Sequence, residues 1–398
     1  MTRYKEQHDV ALVVLGFDRM FRDLAEGLAQ KGLRVLVVAA SRSYKNPKEV
    51  FASERVLDKL MIERVEIPEL NKNKLLQKLL FFYFFSKRLK GVLRGKDIRL
   101  FVAPLMPLLI PYKTLKSSKK VRKPFLFILE DLVPDTWIRR GRFSAKHPFV
   151  KLIKRQTRSL LLDSRKVVVN GRDMRDYIEE TYKVPEENIV FVPNWANSSE
   201  RLGANRGEQE EFEVLYGGTI GEAQKLDTLI DAARILQERK SDMNIKIVGD
   251  GMEKKNLQEV VKRENLKNVQ FCDLVPENEF RKLMMQTSVL VVTLREESKG
   301  MSVPSKLYTY LTAGKPILAI VPEGSEIDIE VKEDQFGISV SGNSPELIAD
   351  AIIKLKEDKE FRERAGKNAL RAFETKYNNA IAVDKYYKVI KELLKETE

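Results

Sequence analysis

Residues 299–316, KGMSVPSKLYTYLTAGKP, set a lysine where a loop turns into a helix. The apolar run 289–292 before them reads as a buried parallel strand. A loop over 296–302 follows, then a helical period over 304–311 with Pro304 near its first position. Gly314 and Pro316 stop that helix, and another apolar strand, 317–321, begins at once. Backbone N–H groups at such a helix start, with Lys306 one or two residues in, suit an anion such as a phosphate. Lys306 is equally compatible with an ordinary exposed helix position. A second cluster stands just after the apolar run 125–129: Glu130, Asp131, Pro134, Asp135 and Trp137. In open parallel sheets ligands collect at the carboxyl ends of strands, and a carboxylate there can accept the proton of an attacking hydroxyl. Asp131 would serve equally as the cap of the next turn.

The elements that must hold these residues repeat one pattern. Strand 11–15, helix 21–28 and strand 35–39 form a βαβ opening, which announces a parallel sheet. Its first turn carries Gly16 alone, so it is no dinucleotide fingerprint, and Asp18 and Arg19 fit either the lining of a cleft or, more simply, ordinary turn residues. Strands at 125–129, 166–169 and 189–192 continue the sheet. A second series starts at 212–216, followed by Gly217-Gly218-Thr219-Ile220-Gly221, helix 228–239, strand 245–248 and Gly249-Asp250-Gly251. Helices 360–374 and 380–394 end the chain. The polar stretch 196–211 is the expected linker. The predicted fold is α/β, two parallel-sheet domains with a cleft between them, divided as 1–195 and 212–373, with 374–398 as a terminal helix.

Length and composition set the outer limits. The chain has 398 residues, enough for two domains with separate cores. One cysteine, Cys272, excludes a disulfide framework and fits a reducing compartment. No secretory leader is expected, and the apolar stretches fall short of a membrane span. Two histidines and one cysteine far apart offer no metal-ligand spacing. Charge says more. The formal net charge is +13, with 40 Lys+Arg against 23 Asp+Glu in residues 1–200 and 31 against 35 in the rest. Residues 71–170 hold 25 basic and 5 acidic side chains, so the first half faces something anionic. Within it, 71–94 contains no acid. Its Leu and Phe residues, Phe82, Phe84 and Phe85 among them, are flanked by Arg88 and other basic side chains. That pattern fits a helix lying in an anionic bilayer surface. It also fits a core helix with solvated charged ends. Basic runs at 113–123 and 139–142 extend the positive surface.

Four segments in order, LYGGTIGEAQKLDTLIDAA, IVGDGMEKKNLQ, NVQFCDLVPENEF and VPSKLYTYLTAGKP, resemble the donor domain of the retaining GT-B glycosyltransferases of family four. The similarity is strongest to the branch that builds surface polysaccharides and glycan–lipid intermediates. It extends upstream through FILEDLVPDTW and KVVVNGRDMRDYIEETYKVPEENIVFVPNWAN, and into the terminal helices. The resemblance implies a GT-B fold, two Rossmann-like domains facing a central cleft, with the last helix crossing back to the first domain. It implies a nucleotide-diphosphate sugar as donor, with the base near 249–251 (Gly249, Gly251) and 273–276. The diphosphate would lie near Ser302, Val303, Ser305 and Lys306, with Gly218, Thr219, Lys225 and Thr309 also on the donor side. No metal or other cofactor is expected. The acceptor, a glycan or a lipid diphosphate, would dock on the basic first domain, with Asp131 as acceptor-side base or orienter. The expected setting is cytoplasmic, peripheral at the inner face of the cell membrane.

The chain also departs from that family. Met301 and Thr309 stand where many relatives carry two glutamates eight apart, the second of which holds the donor ribose. Thr219 and Gln224 replace an Arg and a Lys, with Lys225 next in line. Two further readings follow: a nucleotide-sugar-binding protein with reduced or lost catalysis, and a nucleotide-sugar epimerase of GT-B architecture. A nucleic-acid partner is not expected, because no known module or interleaved aromatic platform accompanies the charge.

Overall fold

A computed structural model describes residues 6–43, 46, 48–70, 75–105, 107–202 and 211–396. They form two compact units. Unit 1 comprises the described residues of Met1–Asn170, Met174–Pro193 and Asn379–Glu398, and unit 2 comprises those of Gly171–Asp173 and Asn194–Asn378.

Unit 1 is an eight-stranded sheet. Its strands are β1 (Gln7–Val13), β2 (Val35–Ala40), β3 (Glu54–Leu57), β4 (Leu60–Val65), β5 (Asp97–Pro104), β6 (Phe125–Leu129), β7 (Lys166–Val169) and β8 (Ile189–Phe191). Their order is β3-β4-β2-β1-β5-β6-β7-β8, parallel throughout except for the β3–β4 hairpin at one edge. Every residue of β2 and β6 is buried, as expected of strands covered on both faces. The connecting helices are α1 (Arg19–Gln30), α2 (Leu75–Leu93), α3 (Leu109–Lys120), α4 (Asp135–Arg139), α5 (Pro148–Asp163) and α6 (Arg172–Tyr182). Asp18 caps α1 by accepting the Phe21 N–H at 3.3 Å.

Unit 2 is a six-stranded parallel sheet in the order β11-β10-β9-β12-β13-β14. Its strands are β9 (Glu213–Gly217), β10 (Asn244–Val248), β11 (Val269–Cys272), β12 (Val289–Thr293), β13 (Ile317–Ile320) and β14 (Gly337–Val340). Around them run α7 (Asp227–Glu238), α8 (Lys254–Arg263), α9 (Glu277–Gln286), α10 (Lys306–Leu311), α11 (Glu326–Asp334), α12 (Pro345–Glu357) and α13 (Lys359–Thr375). Two apolar clusters, one on each face of the sheet, form its core. The last helix, α14 (Asn379–Lys395), belongs to unit 1, where Val383 lies against Gly27 of α1. A Cβ at Gly27 would stand 2.7 Å from Val383.

Three expectations change. Residues 196–202 of the expected linker, and 194–195 before them, are neither a linker nor part of the first domain. They belong to unit 2, where the Ala196 N–H donates to the Tyr377 carbonyl at 3.0 Å and Glu200 is buried. The remainder of that stretch, 203–210, lies outside the described residues. Gly171–Asp173, assigned with the first domain from sequence, also belong to unit 2. Finally, α2 is a core helix along one side. Phe81, Phe85, Leu89 and Leu93 repeat every four residues and are buried. Phe85, with no exposed surface, cannot meet a membrane. Phe82 and Phe84 are half-buried, and Arg88 is exposed, donating to the Glu66 carbonyl at 2.6 Å. Residues 71–74 of the same basic segment lie outside the described residues.

Candidate functional site

In unit 2 the loops that leave β9, β10 and β11 are knitted together by their backbones. Gly218 N–H donates to the Val248 carbonyl at 2.9 Å, Ile220 N–H to Asp250 at 2.8 Å, and Gly249 N–H to Cys272 at 3.2 Å. The strands end so close together that side chains do not fit between the turns. A Cβ at Gly249 would lie 1.9 Å from the Gly218 carbonyl oxygen, and its φ of +155° also favours glycine. Lys254 completes the lattice from α8. It is buried, and its Nζ donates to the Gly249 carbonyl at 2.9 Å, the Cys272 carbonyl at 3.2 Å and Asp273 at 2.7 Å. Asp250, Gly251, Met252, Asp273 and Leu274 line a depression of about 620 Å³ beside it. Met252 and Leu274 stay largely exposed there.

Lys306 is the chemical centre of this edge. Its Nζ donates to the Tyr216 hydroxyl at 2.7 Å and to the Gly217 carbonyl at 3.0 Å, and it sits 3.9 Å from the Tyr216 ring centre. Tyr216 passes a hydrogen bond on to the Thr219 carbonyl at 2.7 Å. Gly218 leaves room for the amine: a Cβ at that position would stand 3.0 Å from Nζ, at a φ of +128°. Among the described residues no carboxylate pairs with this lysine. Burial therefore pulls its pKa down to about 7. The helix offers little to an anion. It begins at Lys306 itself, two residues later than the sequence period indicates, and spans six residues, too few for a substantial dipole.

The loop before α10 is braced from Gly171–Asp173. Arg172 forks onto Glu326 of α11 at 2.9 and 3.1 Å and onto Glu333 at 2.7 Å. Asp173 accepts the Gly300 N–H at 2.8 Å, and Asn194 reaches the Val303 carbonyl at 3.5 Å. Glu326 is buried, so the bidentate guanidinium supplies the charge partner it needs. Sequence reasoning missed this brace. Its one signal was the Asn170-Gly171 turn, which carries no mark of its distant partners.

The carboxyl edge of unit 1 has the opposite character. Asp131 follows β6 and is exposed. Its neighbour Glu130 is turned inward, and desolvation, reinforced by the charges of Asp131 and Asp18, pushes its pKa up to about 8. A neutral acid and an exposed carboxylate thus stand side by side. Asp135 does not belong to an open rim. It is buried and accepts from the Tyr177 hydroxyl at 3.0 Å, from Tyr182 and from Lys154 at 3.3 Å.

A family profile described as "Glycosyl transferases group 1" matches residues 199–372, and one described as "Glycosyltransferase Family 4" matches residues 15–200. The chain belongs to glycosyltransferase family 4. A "Probable glycosyltransferase WbjE" of Pseudomonas aeruginosa is 24% identical over 350 residues, 84% of this chain and 86% of that protein. Among solved structures, WaaG, a glycosyltransferase involved in lipopolysaccharide biosynthesis, superposes with a TM-score of 0.68 at 14% identity, over 96% of this chain and 99% of WaaG. Anabaena Alr3699/HepE in complex with UDP gives 0.69 at 14% identity, over 96% and 99%. These likenesses establish the GT-B fold.

Within this glycosyltransferase the expected donor-side residues divide. Gly218, Gly249, Gly251 and Thr219 stand in the knitted loops with Lys306. Ser302 is half-buried, Ser305 exposed and Val303 buried with its carbonyl toward Asn194. Lys225 lies apart: its backbone is left-handed and its Nζ donates to Asn343 at 2.5 Å. Met301 is fully buried and apolar, so it replaces an acid with packing. Thr309 is half-buried, and its carbonyl accepts from Thr312 at 2.6 Å.

Proposed function

We propose that this glycosyltransferase moves a sugar from a nucleotide-diphosphate sugar to a lipid-linked or membrane-proximal glycan acceptor, with retention and without a metal ion. The observation that carries the donor half is the Lys306 amine, desolvated beside two glycine-rich turns with hydrogen bonds but no carboxylate. A diphosphate oxygen would supply the missing charge and draw the amine back to its ammonium form. The depression between Gly251 and Leu274 would take the base, with the exposed Met252 and Leu274 side chains against its faces. UDP in the HepE structure is consistent with a nucleotide donor.

In the transfer, the bond from sugar C1 to the diphosphate oxygen breaks and a bond from C1 to the acceptor oxygen forms. The nucleoside diphosphate leaves, and the acceptor's hydroxyl proton passes to Asp131 or to the departing phosphate oxygen. Lys306 is positioned to offset the charge that develops on that oxygen. The acceptor assignment rests on the basic surface of unit 1 and on the role of WaaG in lipopolysaccharide biosynthesis. Among the described residues no helix is long and apolar enough to cross a membrane, so contact would be peripheral.

The test is thermal shift and product analysis with UDP-, GDP- and ADP-sugars. Stabilisation by one nucleotide series, with transfer or slow hydrolysis of its sugar, is the expected result. Tight nucleotide binding with no turnover across lipid-linked acceptors would sink the transfer reading in favour of a binding protein. Met301 and Thr309, which carry no acid, are the residues that reading would rest on.

A further inference from the structure

Residues 136–162 of unit 1 contain eight Lys or Arg and no acid. They form α4, the connection that follows it, and α5, and they leave the sheet just beyond Glu130 and Asp131. The base of this hairpin is firmly tied. Asp135 is held by Tyr177, Tyr182 and Lys154, and the Thr157 hydroxyl donates to the Val133 carbonyl at 2.7 Å. Its tip is open to solvent: residues 141–149 are exposed without a break.

That tip presents apolar side chains, not only charge. Phe143 is 41% exposed, Phe149 47% and Leu152 53%. Trp137 supports them from within, stacked on Phe149 with ring centres 6.5 Å apart and tilted against Phe143 at 5.9 Å. Around them Arg142, Lys146, Lys151 and Arg155 are exposed. Large apolar groups held outward on a rigid, wholly basic hairpin cost solubility unless something covers them. The covering surface must be apolar beneath and negatively charged at its rim. A bilayer of anionic lipid has that layered chemistry, with headgroups for the cations and acyl chains for the rings.

We propose that the α4–α5 hairpin is the lipid-docking surface of this protein, with Phe143, Phe149 and Leu152 inserted among anionic headgroups. The proposal rests on the membrane-proximal part of the function argued above and is independent of the transfer chemistry. It also relocates the contact from α2, whose aromatic stripe is largely spent on the core. Because the hairpin follows Asp131 within a few residues, docking there would bring a lipid-linked acceptor to the acceptor-side carboxylate.

Sedimentation of the full chain with vesicles of three parts phosphatidylcholine to one part phosphatidylglycerol tests this. F143S/F149S/L152S is expected to weaken binding at least about tenfold, since three apolar anchors are lost. K146S/K151S/R155S, all solvent-facing, should weaken it about as much at low salt and less at high salt. The second variant keeps the test decisive if removing the two rings loosens the hairpin. L79S/Y83S on α2 should bind within about twofold of the unmodified chain. Donor hydrolysis without vesicles should be unchanged in every variant, which separates this proposal from the transfer reading. The proposal fails if the unmodified chain ignores the vesicles, if it binds pure phosphatidylcholine equally well, or if the α2 variant loses more than the hairpin variants. Self-association that vanishes in F143S/F149S/L152S, without lipid binding, would assign the surface to a second copy of the chain instead.

Discussion

The carboxyl edges of the two sheets are electrostatic opposites. In unit 2 a cation, Lys306, is half-buried with hydrogen-bond acceptors but no carboxylate, and desolvation lowers its pKa to about 7. In unit 1 an acid, Glu130, is half-buried beside other carboxylates, and its pKa rises to about 8. Both are displaced mainly by desolvation, in opposite directions because the charged forms have opposite signs. The first site is poised to gain an anion. The second holds a proton at neutral pH next to an exposed carboxylate. The proposed donor and acceptor chemistry would ask for this contrast, since one edge would handle a diphosphate and the other a hydroxyl.

The contrast can be broken most severely at Asp131. Asp131→Asn is expected to lower turnover by roughly 10²–10⁴-fold with donor affinity unchanged, read from steady-state kinetics beside a binding titration. A loss of folding instead would make the residue structural. Next, Lys306→Ala should weaken donor binding by roughly 10–100-fold, measured by calorimetry, because a charge-assisted hydrogen bond is removed. Unchanged affinity would take Lys306 out of the site. The pH dependence sharpens the same point. If the diphosphate binds the ammonium, donor affinity is already high below about pH 7 and falls about tenfold per unit above it, until the pKa of the bound form is passed. A flat profile from pH 6 to 9 would contradict the assignment.

At the other edge the sign reverses. Glu130 takes up a proton on folding wherever the unfolded carboxyl is ionised. Its contribution to stability is therefore progressively lost as pH rises from about 4.3, the ordinary value, to about 8. Glu130→Gln should remove that dependence and stabilise the fold at pH 8 by up to about 5 kcal/mol, read from denaturant melts. A steeper loss in the variant than in the unmodified chain would refute it. The smallest effect is expected at Lys225→Ala, within about threefold in donor affinity, since its half-buried amine is engaged by Asn343 and not by the Lys306 cluster.

Several parts of this picture were legible before any coordinates. The apolar run 289–292 reads as a buried parallel strand and is one, and Gly217-Gly218 with 249–251 marked the turns that follow β9 and β10. Lys306 was legible as a basic residue in a glycine-punctuated strand–loop–helix. Its depressed pKa was not, because that depends on Tyr216 and Gly217 some ninety residues away. The α2 aromatics were visible but their partition was not: a broad apolar face has the same composition whether it meets lipid or a core. Phe85→Ser is expected to cost roughly 3–5 kcal/mol of stability for that reason.

By itself the sequence determined the local periods, the turn residues, the acid-free basic stretches and the family, because each is written within a few tens of consecutive residues. Only the tertiary structure decided which charges lost their solvent and which aromatic groups kept it. Glu130 turns inward while Asp131 faces water, and Phe85 is buried while Phe143 and Phe149 stand out. The physical reason is that desolvation and burial are set by what packs from elsewhere in the chain. Neighbouring residues of the same type can therefore meet opposite fates.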